Sequence, residues 1–503
     1  MQISNHRLSN SPLWEWQRTY FATQGVQAWA ENVVPDFVTN NCFTAAAFAR
    51  VLLARMQDYV ATTPQPERVY LLEAGAGSGR FAFRVLQQLR DHLVLPVPFT
   101  YVLTDFTDSI LDFWRDNPRL QPFMDGGWLD FAIYDAASDA PIRLENSGTV
   151  LTPGSLASPL LVVGNYYFDS LRHDLFRMQA GELQEGRVTF SVPESGGAQG
   201  LGQVLQSVAY VPAVTPAYGR TDWEAVVDVY RRDLPEGTFT FPVGGLRSLE
   251  YLANISRAGC FMLAADKGPN LLPSLRTGSH ESIDKHGAVS VSVNFHAIAQ
   301  WVTQGQGCVW QMRAPYHRLN VAAFQVGGTE AEFPATTVAF RDHLQAFGPD
   351  DFANAKDLAL RQMDTLSANE LFSIVRLARW DPEILLSFLK RVAQLLPTLQ
   401  ASVREAFLAG FRQSWEQHYP LNDKIKFAFL LGSLCVQVAA YQPALRFFVL
   451  SVQHEGESPE SVFNAALCLA RLGAYDESRA WLARAEALGV SEAETDLVRA
   501  ELD

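Results

Sequence analysis

The run Leu71-Leu72-Glu73-Ala74-Gly75-Ala76-Gly77-Ser78-Gly79 combines the residue types most able to hold a small charged ligand. An apolar stretch leads into it and an amphipathic stretch, Phe81 to His92, leads out, which places the glycines at a strand-to-helix turn. Glycine at such a turn lets the backbone bend sharply and approach a ligand closely, at the edge where open α/β sheets bind nucleotides. Gly75, Gly77 and Gly79 would serve a dinucleotide or S-adenosylmethionine. Glu73, two residues before the first glycine, favours the methyl donor, because its cationic amino-acid end attracts a carboxylate that would repel a pyrophosphate. A nicotinamide-dependent oxidoreductase is the rival reading of the same bend, and a glycine turn with no ligand is the structural one.

Further polar residues fall where later strands should end. Asp105 follows the predicted strand Phe99 to Leu103, where a carboxylate can accept both ribose hydroxyls of either nucleoside. Asp135 follows the predicted strand Leu129 to Ile133, where an acid can hold an adenine amino group or merely cap a turn. The predicted strand Leu160 to Val163 runs into Asn165-Tyr166-Tyr167-Phe168-Asp169, which would face the transferring methyl group. The amide carbonyl of Asn165 can orient a nitrogen nucleophile. Aromatic rings such as Tyr166 and Tyr167 can bind a cation, and Asp169 can take a proton or pair with a guanidinium. Methyl transfer needs alignment more than acid–base power. Tyr166 and Phe168 would serve equally as core aromatics.

Positioning these residues requires strands alternating with helices, the pattern of a parallel sheet covered on both faces. Ser109 to Asp116 is a second predicted helix and Cys260 to Ala264 a further buried strand, and Val289 to Val302 passes from strand to helix. Trp223 to Arg232 and Gly245 to Ala258 are also predicted helical. Residues 1–62 are expected to form a helical cap, whose Trp14, Trp16, Tyr20, Phe21 and Trp29 either pack on the next domain or line a cleft. The sheet domain is expected over 63–345, with a glycine-punctuated, β-rich insertion near 180–247, then a helical linker over 346–422. Within 423–503, Ala440-Tyr441 matches Ala474-Tyr475, Phe447 matches Trp481 and Ala444 matches Ser478, all 34 residues apart. That helical period is the tetratricopeptide signature, and such repeats present concave surfaces to peptides.

The chain's 503 residues exceed one ordinary core. Its 54 acidic against 40 basic residues, net −14, disfavour nucleic acid as a partner. Cys42, Cys260, Cys308, Cys435 and Cys468 show no CxxC spacing, so no metal site or disulfide framework is expected. Met1 to Asn10 has no apolar signal-peptide core and no stretch approaches the roughly 18 apolar residues of a membrane span, so the cytoplasm is expected and no membrane partner.

The order of motifs from about residue 30 to 310 resembles the MidA-like family of S-adenosylmethionine-dependent methyltransferases, which includes the mitochondrial complex I assembly factor. The family's Asp-Phe-x-Thr element is similar to Asp36-Phe37-Val38-Thr39, and its Asn-Glu-x-x-Asp element to Asn165-Tyr166-Tyr167-Phe168-Asp169. Its Ile-Asp-Tyr-Gly element is similar to Ala265-Asp266-Lys267-Gly268, and its Asp-x-Thr-x-x-Val-Asp-Phe stretch to the eight residues from Ala288 to Phe295. The chain departs from the pattern at Tyr166, Ala288, Ser290 and Asn294. The tetratricopeptide-like end lies outside the basic family unit.

The resemblance implies a class I methyltransferase fold, a seven-strand mixed sheet between helices, followed here by an all-α tetratricopeptide-like domain. Glu73, Gly75, Gly77, Gly79, Asp105 and Asp135 would hold S-adenosylmethionine. Asn165, Tyr166 and Asp169 would face the acceptor, with Asp36, Thr39 and Tyr167 closing on the substrate. Family members methylate arginine on a protein, so N-methylation of a protein or peptide is the expected activity. A small-molecule methyltransferase, or a non-catalytic assembly factor with a relic donor domain, are the alternatives, and the oligomeric state stays open.

Overall fold

A computed structural model describes residues 2–30, 38–92, 94–191, 205–277, 283–286, 288–312, 318–421 and 425–502. The chain divides into two compact units, Met1–Ala353 and Asn354–Asp503.

Seven strands form the central sheet of the first unit: β1 (Val69–Ala74), β2 (Phe99–Asp105), β3 (Leu129–Ile133), β4 (Leu160–Asn165), β5 (Cys260–Asp266), β6 (Cys308–Gln311) and β7 (Asn320–Val326). Their order is β3-β2-β1-β4-β5-β7-β6. The first five run parallel. The last strand, β7, is inserted antiparallel between β5 and β6. Every residue of β2 and β5 is buried, as strands covered on both faces require, which is why Tyr101 to Leu103 and Cys260 to Ala265 are apolar. The chain moves outward from β1 to β3 and then crosses back to β4. The β1–β4 boundary is therefore the topological switch point, where a crevice opens beyond the strands' carboxyl ends.

Helices α1 (Leu13–Gln24), α2 (Cys42–Thr62), α3 (Arg80–His92), α4 (Asp108–Asp116), α5 (Val243–Ile255) and α6 (Phe295–Gln304) belong to the same unit. Asn41 starts α2 by accepting the Thr44 N–H at 2.9 Å, a side-chain cap on an otherwise orphaned donor. Phe48 of α2 meets Phe81 of α3 edge-on at 5.3 Å. Asp58, near the other end of α2, receives the N–H groups of Ala335 and Thr336, both at 2.9 Å, and so anchors the helix Pro334–Phe340.

The glycine-punctuated segment after β4 forms a second, antiparallel sheet from Asp174–Gln179, Glu182–Ser191, Leu205–Pro212 and Gly237–Phe241. Gln2–Arg7 joins that sheet as a strand, where an all-helical start was expected. Its pairing partner lies far along the chain, so nothing in the local pattern announces it. Arg7 then reaches the buried Glu185 at 2.7 Å, an ion pair that fixes the entry to α1. Leu8, Leu13 and Trp14 pack with Phe190, Ile283, Val289 and Val291 in a satellite core beneath α1.

The second unit is helical, and among its described residues no strand occurs. Tyr441–His454 and Tyr475–Ala487 begin 34 residues apart, each preceded by a helix. A Cβ on Gly432 would stand 2.8 Å from the Phe448 ring, so that helix crossing leaves no room for a side chain. No described helix is long and apolar enough to cross a membrane.

Gly268, just beyond β5, has φ +145°, and a Cβ there would fall on the Val293 backbone, whose N–H donates to Lys267 O at 2.8 Å. Gly268→Ala is expected to remove about 2–4 kcal/mol, lowering the unfolding midpoint of this unit by about 5 °C or more in thermal circular dichroism. An unshifted midpoint would show that the β5 edge yields freely.

Candidate functional site

A cavity of about 400 Å³ opens at the switch point, within the size range of small-molecule sites. Glu73, Gly75, Asp105 and Asp135 line one part of it, Asn165, Tyr166, Tyr167 and Asp169 another, and Trp14, Gln17, Arg18 and Phe21 of α1 a third.

The glycine bend leaves β1 with φ +68° at Gly75, +53° at Gly77 and +74° at Gly79, all in the left-handed region that a side chain disfavours. Only Gly75 faces the cavity, and a Cβ there would press on the Tyr167 ring at 3.3 Å. Gly77 lies behind it: its N–H donates to Asp105 Oδ2 at 3.3 Å and its carbonyl accepts from Trp114 Nε1 at 3.0 Å. Gly79 turns the chain into α3, its N–H bonded to Ala76 O at 2.9 Å.

Glu73 is buried, and the Tyr101 hydroxyl donates to it at 2.7 Å. Burial outweighs that bond and pushes the Glu73 carboxyl up to about 8. The ionised carboxylate expected from the sequence is therefore a neutral acid at pH 7 until a cation is brought against it. Asp105 is pushed up to about 6, again by burial, less far because the Phe106 and Gly77 N–H groups bond its charged form. Asp135 takes both prongs of the Arg18 guanidinium, at 3.0 and 2.8 Å, and Arg18 lies 4.7 Å from the Phe106 ring centre.

The other part of the site follows β4. Asn165 Oδ1 is buried without a hydrogen-bond partner. Tyr166 sits at φ +51°, a strained conformation for a bulky residue, with its N–H bonded to Ala265 O at 2.9 Å. Tyr167 and Tyr134 share Ser248 Oγ, at 2.6 and 2.8 Å, and burial pushes the Tyr167 hydroxyl up to about 12, so it keeps its proton. The Asp169 N–H donates to Asp266 Oδ2 at 3.0 Å. Burial raises both carboxyls, Asp266 to about 7 and Asp169 well above its usual range, and Asp169 is raised further by the neighbouring Asp266 charge. Lys267, also on the cavity wall, partly offsets this. Thr39 is buried beside the site, but its neighbour Asn40 is the residue that reaches the wall. Asp36 lies outside the described residues.

Of the N-terminal aromatics expected to pack or to line a cleft, Trp14 and Phe21 reach the wall. Arg18, Arg172 and Arg247 carried no signal as site residues: Arg18 arrives by the long-range docking of α1, and the other two from elements with no recognisable motif. Phe106 was legible in principle, as an aromatic adjoining the acid at the end of β2.

No family model matches the chain. A stretch of 82 residues is 32% identical to the 5-methylorsellinic acid synthase of Aspergillus terreus, covering 16% of this chain but only 3% of that enzyme. Two crystal structures of members of one superfamily from Burkholderia thailandensis, the first an uncharacterized protein and the second a likely methyl transferase, are similar over most of their length. The first, at 14% identity, covers 66% of this chain and 90% of that one, with a TM-score of 0.41. The second, at 13% identity, covers 65% and 97% with a TM-score of 0.38, and was solved bound to S-adenosyl-homocysteine.

Because the folded Glu73 carboxyl is raised from 4.5 to about 8, the ligand-free fold holds a proton that the unfolded chain releases, and it loses stability as pH climbs through that window. Glu73→Gln removes this burden. The variant is expected to be more stable than the parent by roughly 2–4 kcal/mol at pH 8 and by much less at pH 4.5, read by denaturant unfolding at both pH values. A pH-independent difference would mean that Glu73 ionises freely in the fold.

Proposed function

We propose that the chain is an S-adenosylmethionine-dependent methyltransferase that modifies a nitrogen on a protein or peptide. The observation that carries this reading is the division of one cavity into two kinds of wall: the glycine bend with Glu73 and Asp105, and the strand end with the unpartnered Asn165 Oδ1 and the buried Asp169. The sheet order supports it too, since an antiparallel last strand inserted between the fifth and sixth is the class I methyltransferase arrangement.

The donor's chemistry is an electrophilic methyl group on a sulfonium. Glu73 and the Gly75 backbone would hold its amino-acid end, and Asp105 its ribose. An ammonium drawn to Glu73 restores the charge that burial suppresses, so donor binding is expected to release a proton near neutral pH. Asn165 Oδ1 accepts an N–H of the acceptor and aims its lone pair; a cationic acceptor brought against Asp169 displaces the proton that burial holds there, as the ammonium does at Glu73, and the ionised carboxylate then takes the proton that the nitrogen sheds. The unpartnered Asn165 Oδ1 favours an acceptor that brings an N–H, an amine, amide or guanidinium, arginine included.

A macromolecular acceptor is favoured by the second unit. The 34-residue spacing of its helices and the small residues at their crossings, Gly432, Ala444 and Ser478, fit tetratricopeptide-like pairs that bind peptides. The five thiols are free, in keeping with a reducing cytoplasm.

Titration calorimetry should detect S-adenosylmethionine binding, and Gly77→Asp should abolish it, since the new side chain adds a second acid beside Asp105 on a left-handed backbone. No binding by the parent chain would sink the assignment. With labelled donor and a native proteome as acceptor, Asp169→Asn should keep donor affinity within about threefold while slowing transfer about 100-fold or more.

A further inference from the structure

Phe106 and Asp135 stand together because β2 and β3 end side by side. Asp105 pairs with Ile133 in the sheet, and the Tyr134 N–H donates to Asp105 O at 2.9 Å. A ribose held by Asp105 therefore hands its base to the space between the Phe106 ring and the Asp135 carboxylate. An adenine would offer that space a flat face and an amino group. Arg18 already offers both: a planar guanidinium 4.7 Å from the Phe106 ring centre, with two N–H donors on Asp135 at 3.0 and 2.8 Å.

Resting on the donor-site reading above, we propose that Arg18 is a specificity residue of the nucleobase subsite, a tethered mimic of the base that occupies Phe106 and Asp135 until the donor displaces it. The exchange needs only a side-chain rotation. The helix α1 is pinned independently, by Gln17 Nε2 on Val289 O at 3.0 Å and by Arg172, which reaches Ser9 O at 2.7 Å and Glu15 at 2.8 Å. Arg18 is also partly open to solvent, its side chain 38% exposed, so the guanidinium can leave into water. Holding Asp135 in an ion pair keeps that carboxylate ordered, and only a ligand that supplies both a stacking face and a hydrogen-bond donor recovers what is lost on displacement. A ribosyl ligand without an amino-bearing base gains nothing there.

The test is titration of the intact chain with S-adenosyl-homocysteine, which has the base but no net charge, for the parent, Arg18→Ala and Arg18→Lys. Arg18→Ala should tighten binding about three- to thirty-fold, the combined scale of an exposed ion pair and a cation–π contact. Arg18→Lys, which lacks the planar fork, should fall between. Added salt should tighten binding to the parent, by screening the Arg18–Asp135 pair, and leave Arg18→Ala unmoved. Methionine, which carries no base, serves as the control, and its affinity should not respond to Arg18. If the parent binds no S-adenosyl-homocysteine, the donor-site reading itself fails. If the parent binds and Arg18→Ala binds equally or more weakly, that reading stands and the proposal for Arg18 is overturned.

Discussion

The carboxyl edge of the sheet gathers acids in a place that water barely reaches. Glu73 comes near the end of β1, Asp105 at the end of β2, Asp169 just past β4 and Asp266 at the end of β5. Placing charge in such surroundings costs several kcal/mol per group unless hydrogen bonds or counter-ions offset it. The offset is graded. Asp266 and Asp105 receive backbone N–H groups, Glu73 receives one phenol, and Asp169 has its nearest help from the charge on Lys267. At such an edge each acid is held back from ionising in proportion to how little it is bonded, and a ligand that brings positive charge or N–H groups offsets that cost.

The parallel run of five strands creates this edge, because it brings every carboxyl terminus to one side. The antiparallel β7 then starts at the same edge, with Asn320 paired to Asp266 and its amide reaching Gly268 O. That brace ties the β5 end to β7 beside Lys267, which lines the cavity. The N-terminal strand does the equivalent from the other direction. By joining the second sheet it carries α1 onto the cavity and brings Arg18, Trp14 and Phe21 to a wall made otherwise by strand ends.

What could be read in advance follows from how local the cause is. The strand Leu129 to Ile133 was legible to the residue, since a five-residue, largely apolar segment after a glycine pair is too short for a helix and fits a buried strand. The glycine bend was legible as well, because positive φ is a property of single residues. The neutral state of Glu73 was not, for it depends on burial beneath residues contributed by several elements. The strand at Gln2–Arg7 was hidden for a similar reason, its partner Glu182–Ser191 lying far along the chain, beyond the first four strands of the central sheet. The glycine motif also promised more than it delivers locally: one glycine meets the cavity, while the other two shape the turn behind it.

Tyr166 shows how the site departs from the pattern its sequence resembles. A carboxylate at that position would add one more acid to a crowded edge, and tyrosine avoids the charge while accepting a left-handed backbone in its place. The strain has a geometric return. Gly164 leaves room for the tip of Met262 on the sheet face, and the Tyr166 N–H continues the β4–β5 pairing onto Ala265. The chain then turns away, and three residues on the Asp169 N–H meets Asp266 Oδ2. Asn165 thus ends β4 with its Oδ1 unpaired, and the left-handed Tyr166 after it turns the chain toward Asp266, so the two wall groups lie on either side of one bend.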